Sequence, residues 1–229
     1  MNDCPQLHVI ARIRSDFTTK FGIPRQSGLV EENRSTIIFE PEYRDANALR
    51  GLEGYSHIWL IWGFSMVNQQ SWSPMVKPPR LGGNQRMGVF ATRSPFRPNP
   101  IGLSSVKLAG MESRSGMGTV LYVAGADLMD GTPIYDIKPY LSFTDSHPEA
   151  RNGFADDCLE YELDVIFPQQ WLEKIPAEKR DALIASLRQD PRPAYRKDPD
   201  EVFGFEYAGF DVRFRVRQRT LTVCEVVIL

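Results

Sequence analysis

The sequence predicts a mainly β chain: an antiparallel β-barrel N-terminal domain followed by a small α+β C-terminal domain. Three observations carry this. Short apolar or alternating runs recur through the first two thirds of the chain, no long helical pattern separates them, and the pattern changes after Phe167. Strands without intervening helices argue for an antiparallel barrel or sandwich rather than repeated βαβ units, and of the two a barrel is expected.

Taken in order, the strand-like runs are Leu7 to Arg14, Ser35 to Phe39, His57 to Phe64, Met87 to Ala91, Ser104 to Ala109 and Thr119 to Val123. Leu159 to Phe167 alternates most clearly. Leu159, Tyr161, Leu163, Val165 and Phe167 share one face, with Glu160, Glu162 and Asp164 on the other, so one side is expected to be buried and one wet. A first domain over 1–167 and a second over 168–229 follow from the change beyond that run. Pro176 opens a helical pattern in which Leu183, Ile184 and Leu187 recur at helical spacing until Pro191 stops it. Asp211 to Arg217 then sets Val212, Phe214 and Val216 against Arg213, Arg215 and Arg217, and Val223 to Leu229 returns as a second strand. The pair reads as a hairpin with one basic face, which is also what an ordinary solvated strand face looks like.

A chain of 229 residues can bury an adequate core without a staple. Cys4, Cys158 and Cys224 are far apart and odd in number, which suggests neither a disulfide framework nor a metal cluster and fits a reducing, cytoplasmic setting. No basic start with an apolar run and no stretch of about 18 apolar residues occurs, so a soluble protein outside the membrane is expected. The net charge of −2 conceals an asymmetry. Between Glu53 and Glu112 there is no carboxylate, while Lys77, Arg80, Arg86, Arg93, Arg97 and Lys107 lie there, pointing to an anionic ligand or to a solvated loop face.

Three loops present polar groups. Lys77 to Asn84 joins rigid prolines to the permissive Gly82-Gly83 pair, and Val89 to Ser105 carries three prolines within six residues and displays Arg93, Arg97 and Asn99. Asp127 to Tyr140 combines carboxylates with an Asp-Gly turn. There Asp130 can accept from a ribose or amino group, and Asp136 can pair with Lys138 or accept a proton, or either can simply cap a turn. No Gly-x-Gly-x-x-Gly follows a strand, no Gly-x-Ser-x-Gly elbow occurs, and His8, His57 and His147 have no metal-ligand spacing.

With these residues in view, the chain resembles the TsaA-like family, also called the YaeB-like or TrmO family, of S-adenosylmethionine-dependent tRNA methyltransferases. The resemblance rests on Phe21-Gly22-Ile23-Pro24-Arg25-Gln26-Ser27-Gly28-Leu29-Val30, on Arg50 to Trp59, on Pro78-Pro79-Arg80-Leu81-Gly82-Gly83-Asn84, and on Arg97-Pro98-Asn99-Pro100-Ile101-Gly102. Asp130-Gly131-Thr132-Pro133 and Asp190-Pro191-Arg192-Pro193-Ala194-Tyr195 extend it across both proposed domains.

The resemblance implies a β-barrel that binds S-adenosylmethionine near a homodimer interface and a C-terminal domain assisting tRNA binding, and the lack of metal-ligand spacing leads to the expectation that no metal takes part. It implies methyl transfer to the exocyclic nitrogen of threonylcarbamoyladenosine, immediately 3′ of the anticodon. Carried over position by position, it places cofactor contacts at Pro24, Arg25, Gln26, Arg93, Leu103, and at Leu128, Met129, Asp130, Gly131 and Thr132. Ser65 and Met66 stand where many relatives have a His-Gln pair, which leaves backbone contacts to the cofactor from those two residues. Arg25 or Arg93 suits the cofactor carboxylate, Arg80, Arg97, Arg192 and Arg213 suit tRNA phosphates, and Asp136 or Tyr195 is the candidate proton acceptor. The aromatic segment Ile58 to Trp62 adds to the case for a homodimer, although tryptophans fill cores as readily as interfaces. Two other classes compete: a noncatalytic RNA-binding protein, and a small-molecule S-adenosylmethionine enzyme or sensor.

Overall fold

A computed structural model describes residues 6–67, 72–78, 85–158, 162–193 and 198–229. In chain order the elements are β1 (Ala11–Arg14), β2 (Arg34–Phe39), β3 (His57–Gly63), the short β4 (Met75–Val76) and β5 (Met87–Gly88), β6 (Ile101–Arg114), β7 (Gly118–Ala124) and β8 (Pro133–Pro139). The rest comprises α1 (Ser142–Asp145), β9 (Asp164–Ile166), α2 (Gln169–Leu172), α3 (Ala177–Arg188), β10 (Phe203–Tyr207), β11 (Phe210–Arg217) and β12 (Thr220–Ile228).

Six antiparallel strands form a closed ring in the order β1-β2-β7-β6-β3-β8, with β8 returning to β1 through Ala11 opposite Ile134. Alternation decides what fills it. On β3, Ile58, Leu60 and Trp62 are buried in the ring's core, while His57, Trp59 and Ile61 face outward. Each fully buried aliphatic side chain of this core contributes about 1.5–3 kcal/mol. Gly102, opposite Trp62, is required here: a Cβ at that position would lie 2.2 Å from the indole.

Two strand expectations shift. The run 127–140, read as a loop, contains β8, because Pro133 and Pro139 sit at its two ends, where the missing N–H groups need no ladder partner. Met87 to Ala91 is extended only over β5 before a 3-10 turn at Val89–Ala91.

The expected strand 159–167 appears as β9 over 164–166, with 159–161 outside the described residues. It pairs in parallel with β12, in a four-stranded sheet ordered β10-β11-β12-β9. As the alternation predicts, Val212, Phe214 and Val216 are buried while Arg213, Arg215 and Arg217 are exposed. Helix α3 begins immediately after Pro176 and buries Ala182, Leu183 and Leu187 against this sheet's core.

A strap from the ring completes that second core. Phe17, 1% exposed, packs edge-on to Tyr207 with ring centroids 5.3 Å apart. Asp16 accepts from Lys179 Nζ at 2.5 Å, Thr18 Oγ1 donates to Glu206 at 2.6 Å, and the Ala208 N–H donates to the Asp16 carbonyl at 2.8 Å. Gly22 follows at φ +82, where a Cβ would meet the Phe205 ring at 2.2 Å. The two units are therefore interlocked by apolar contact and hydrogen bonds together.

Candidate functional site

Four segments meet beside the ring: the turn from Pro24 to Gly28, the loop carrying Arg93, the start of β6, and the stretch from Gly125 to Thr132. The Gly28 N–H donates to the Gly125 carbonyl at 2.8 Å. Gly125 has φ +77 and a Cβ there would lie 3.3 Å from the Gly28 backbone, so this close approach needs glycine. Arg93 Nη1 donates to Gln26 Oε1, joining the first two segments, and Gln26 Nε2 donates to the Arg25 carbonyl at 2.5 Å. Arg25 Nη2 reaches the Asp190 carbonyl at 3.1 Å, so this turn also touches the C-terminal unit.

At the centre lies Asp127. Trp62 Nε1 donates to Ser104 Oγ at 3.0 Å, and Ser104 Oγ donates to Asp127 Oδ1 at 2.6 Å. An indole N–H can only donate, so the serine hydroxyl accepts on one side and hands its own proton to the carboxylate. Burial raises the Asp127 carboxyl above its ordinary value. Hydrogen bonds from the Ser104 hydroxyl and from the Asp127 and Ser27 backbone oppose that rise, as does the attraction of Arg93. Neither Asp127 nor Ser104 was singled out from the sequence as a site residue. They lie 23 positions apart, and only the pairing of β3 with β6 brings Trp62 and Ser104 together.

The remaining sequence-derived residues sort by geometry. Pro24, Leu128 and Thr132 are buried, and the Leu128 side chain belongs to the ring's core, so a ligand beside that loop meets chiefly backbone there. Thr132 Oγ1 donates to the Met129 carbonyl at 2.7 Å, and Gly131 donates its N–H to Ile13 at 2.8 Å. Asp130 uses both oxygens: Oδ1 accepts from the Ser15 N–H at 3.0 Å and Oδ2 from Arg14 at 3.2 Å. Leu103 is 56% exposed, and Ser65 and Met66 are exposed as well.

Asp136 pairs with Lys138 at 2.8 Å and accepts from the Ile137 N–H at 2.9 Å. Arg192 forks onto Asp190 at 2.8 and 2.9 Å with its side chain 8% exposed, which ties it to the turn after α3. Arg213 lies exposed between Asp211 at 2.8 Å and Glu225 at 2.7 Å. Arg97 is half-buried in the Pro-rich loop. Arg80 and Tyr195 lie outside the described residues. Among the described residues, no three His, Cys, Asp or Glu side chains gather in a metal-binding group, and no helix is long and apolar enough to cross a membrane.

Residues 12–146 match the tRNA-methyltransferase O N-terminal domain, and residues 160–228 match the TrmO C-terminal domain. The chain belongs to the tRNA-methyltransferase O family. Within that family it is 44% identical, over 92% of its length and 93% of the relative's, to a protein of Escherichia coli named tRNA (adenine(37)-N6)-methyltransferase. A Pseudomonas aeruginosa relative, 40% identical over 90% of each chain, carries a provisional description as an S-adenosylmethionine-dependent methyltransferase. A crystal structure of TrmO from Pseudomonas aeruginosa superimposes with a TM-score of 0.80 at 33% identity, covering 100% of this chain and 99% of that one.

The side chains at the four-segment junction fit the family's cofactor. S-adenosylmethionine carries a carboxylate, an ammonium and a sulfonium, and the junction offers the guanidinium groups of Arg25 and Arg93 together with the half-buried carboxylate of Asp127.

Proposed function

We propose that this protein transfers a methyl group from S-adenosylmethionine to the N6 nitrogen of threonylcarbamoyladenosine at position 37 of tRNA, in the cytoplasm. The observation that carries this reading is the near-complete correspondence with the Escherichia coli tRNA (adenine(37)-N6)-methyltransferase, which runs through both units.

S-adenosylmethionine supplies a methyl group activated by its sulfonium. The chain's work is then binding and alignment, since holding donor and acceptor in line supplies much of the rate of such a displacement. The closed ring is the barrel that holds the cofactor, with residues 1–167 as the cofactor domain and 168–229 assisting with tRNA. Arg25 and Arg93 grip the cofactor carboxylate, and the backbone of 128–132 and of Ser65-Met66 lines the pocket. Asp136 accepts the nitrogen's proton in this reading. It lies opposite Ile61 on β3, which lies opposite Leu103 on β6, so Asp136 and Leu103 are about 10 Å apart across three strands. Arg97, Arg213 and the neighbouring Arg215 meet tRNA phosphates.

The protein acts as a homodimer, and the outer face of β3 supports this. There the half-buried Trp59 and Ile61 and the exposed Leu103 form an apolar stripe, flanked by His57 opposite Lys107. Transfer of labelled methyl from S-adenosylmethionine into bulk tRNA, with chelator present, tests the reading without assuming a metal. Labelled tRNA supports it, and label that never enters tRNA at any enzyme concentration contradicts it.

A further inference from the structure

We infer that Asp127 is the anion by which the site selects the positively charged cofactor over its neutral demethylated product. The inference rests on the cofactor placement proposed above and adds to it a residue and a specificity. S-adenosylmethionine bears a net positive charge because its sulfonium is not offset. Methyl transfer leaves the carbon–sulfur electron pair on sulfur, so that charge is gone from S-adenosylhomocysteine, while the accepting nitrogen gives up its proton. A site lined only by arginines would favour the product on electrostatic grounds. The junction holds Arg25 and Arg93, and the carboxylate of Asp130 is already committed to Arg14 and to the Ser15 N–H.

Asp127 is the other carboxylate at the junction, where it accepts from Ser104 and from the Ser27 and Asp127 N–H groups and already feels the Arg93 charge. Ser104 and Trp62 fix its Oδ1 in the accepting role, and the half-buried setting weakens solvent screening, so a charge held there acts more strongly than one at the surface. The same setting makes the carboxylate costly to keep ionised, which is the pattern of a group retained for function. Because the product no longer carries the sulfonium charge, this carboxylate gives it no hold in return, and product leaves more readily.

The test is calorimetric binding of S-adenosylmethionine and of S-adenosylhomocysteine to the full-length wild type and to Asp127→Asn, Ser104→Ala and Asp130→Asn. Asp127→Asn should weaken S-adenosylmethionine about tenfold while changing S-adenosylhomocysteine by less than roughly threefold. Ser104→Ala, which frees the carboxylate from its anchor, should shift the ratio in the same direction by a smaller factor. It decides the matter if Asp127→Asn does not fold. Asp130→Asn should weaken both ligands alike. Equal losses for both ligands in Asp127→Asn, or an unchanged ratio in both site variants, overturn the inference while leaving the proposed function standing. A wild-type protein that binds neither ligand overturns the proposed function and the inference with it.

Discussion

The Asp130 N–H donates to the Phe17 carbonyl at 2.7 Å, while the Phe17 ring lies in the core of the C-terminal sheet. One residue thus joins the loop proposed to line the cofactor to the unit proposed to assist tRNA binding. Phe17→Ala should cost about 3–5 kcal/mol of stability by leaving a cavity beside Tyr207. It should also weaken S-adenosylmethionine binding, because the strap that presents the Phe17 carbonyl to the 128–132 loop is no longer held in place by the aromatic ring. Urea unfolding and calorimetry on the same preparation check this, and a stability loss with unaltered cofactor affinity would show that the strap does not support the loop.

Asp127 has a consequence for pH. Its folded-state pKa is raised above the unfolded value, so ionisation opposes folding: the cost is absent below the unfolded pKa and fully present above the folded one. Asp127→Asn should therefore be more stable than wild type at neutral pH, with the advantage shrinking as pH falls from the raised folded-state value toward the ordinary carboxylate value. Thermal melts across a pH series measure it. An advantage that grows on acidification contradicts the assignment.

The arginines should separate by their partners. Arg192 is buried against Asp190, so Arg192→Ala should lower stability by about 3 kcal/mol, as expected when a buried pair is broken, with little change in the salt slope of tRNA binding. Arg215 is exposed on β11, and Arg215→Ala should reduce the magnitude of that slope by about 1 if one phosphate contact disappears. Filter binding over a salt series distinguishes them, and the reverse pattern would place the RNA surface on the other side of the C-terminal unit.

Leu103→Arg puts a charge on the outer face of β3 and β6 without touching the ring's interior. It should convert a dimer to monomer in light scattering while leaving the melting temperature within a few degrees of wild type. A wild-type monomer at micromolar concentration, or a variant that stays dimeric, counts against this face as the interface.

Much of the fold is legible because local pattern and burial agree. The alternation of Val212, Phe214 and Val216 with three arginines gives β11, and Pro176 gives the start of α3. β8 was hidden by its terminal prolines and its Asp-Gly turn, which are loop signals when ring closure is not known. The aromatic run Ile58 to Trp62 is legible as a strand, but its division into an inner and an outer set depends on which face the ring encloses. Family resemblance points to the turn at Arg25 and the loop at Asp130. It does not point to Asp127, whose environment is made by Ser104, Trp62 and Ser27 from distant parts of the chain. Arg192 shows a second limit: the sequence offers its guanidinium for a phosphate but does not reveal the fork onto Asp190 two residues away.

Full-length protein incubated with S-adenosylmethionine and tRNA, prepared either with or without threonylcarbamoyladenosine at position 37, should be followed by digestion to nucleosides and mass analysis. One added methyl is expected on the threonylcarbamoyl nucleoside and none in the tRNA that lacks it. Equal methylation of both tRNAs, or methyl appearing on any other nucleoside, would contradict it.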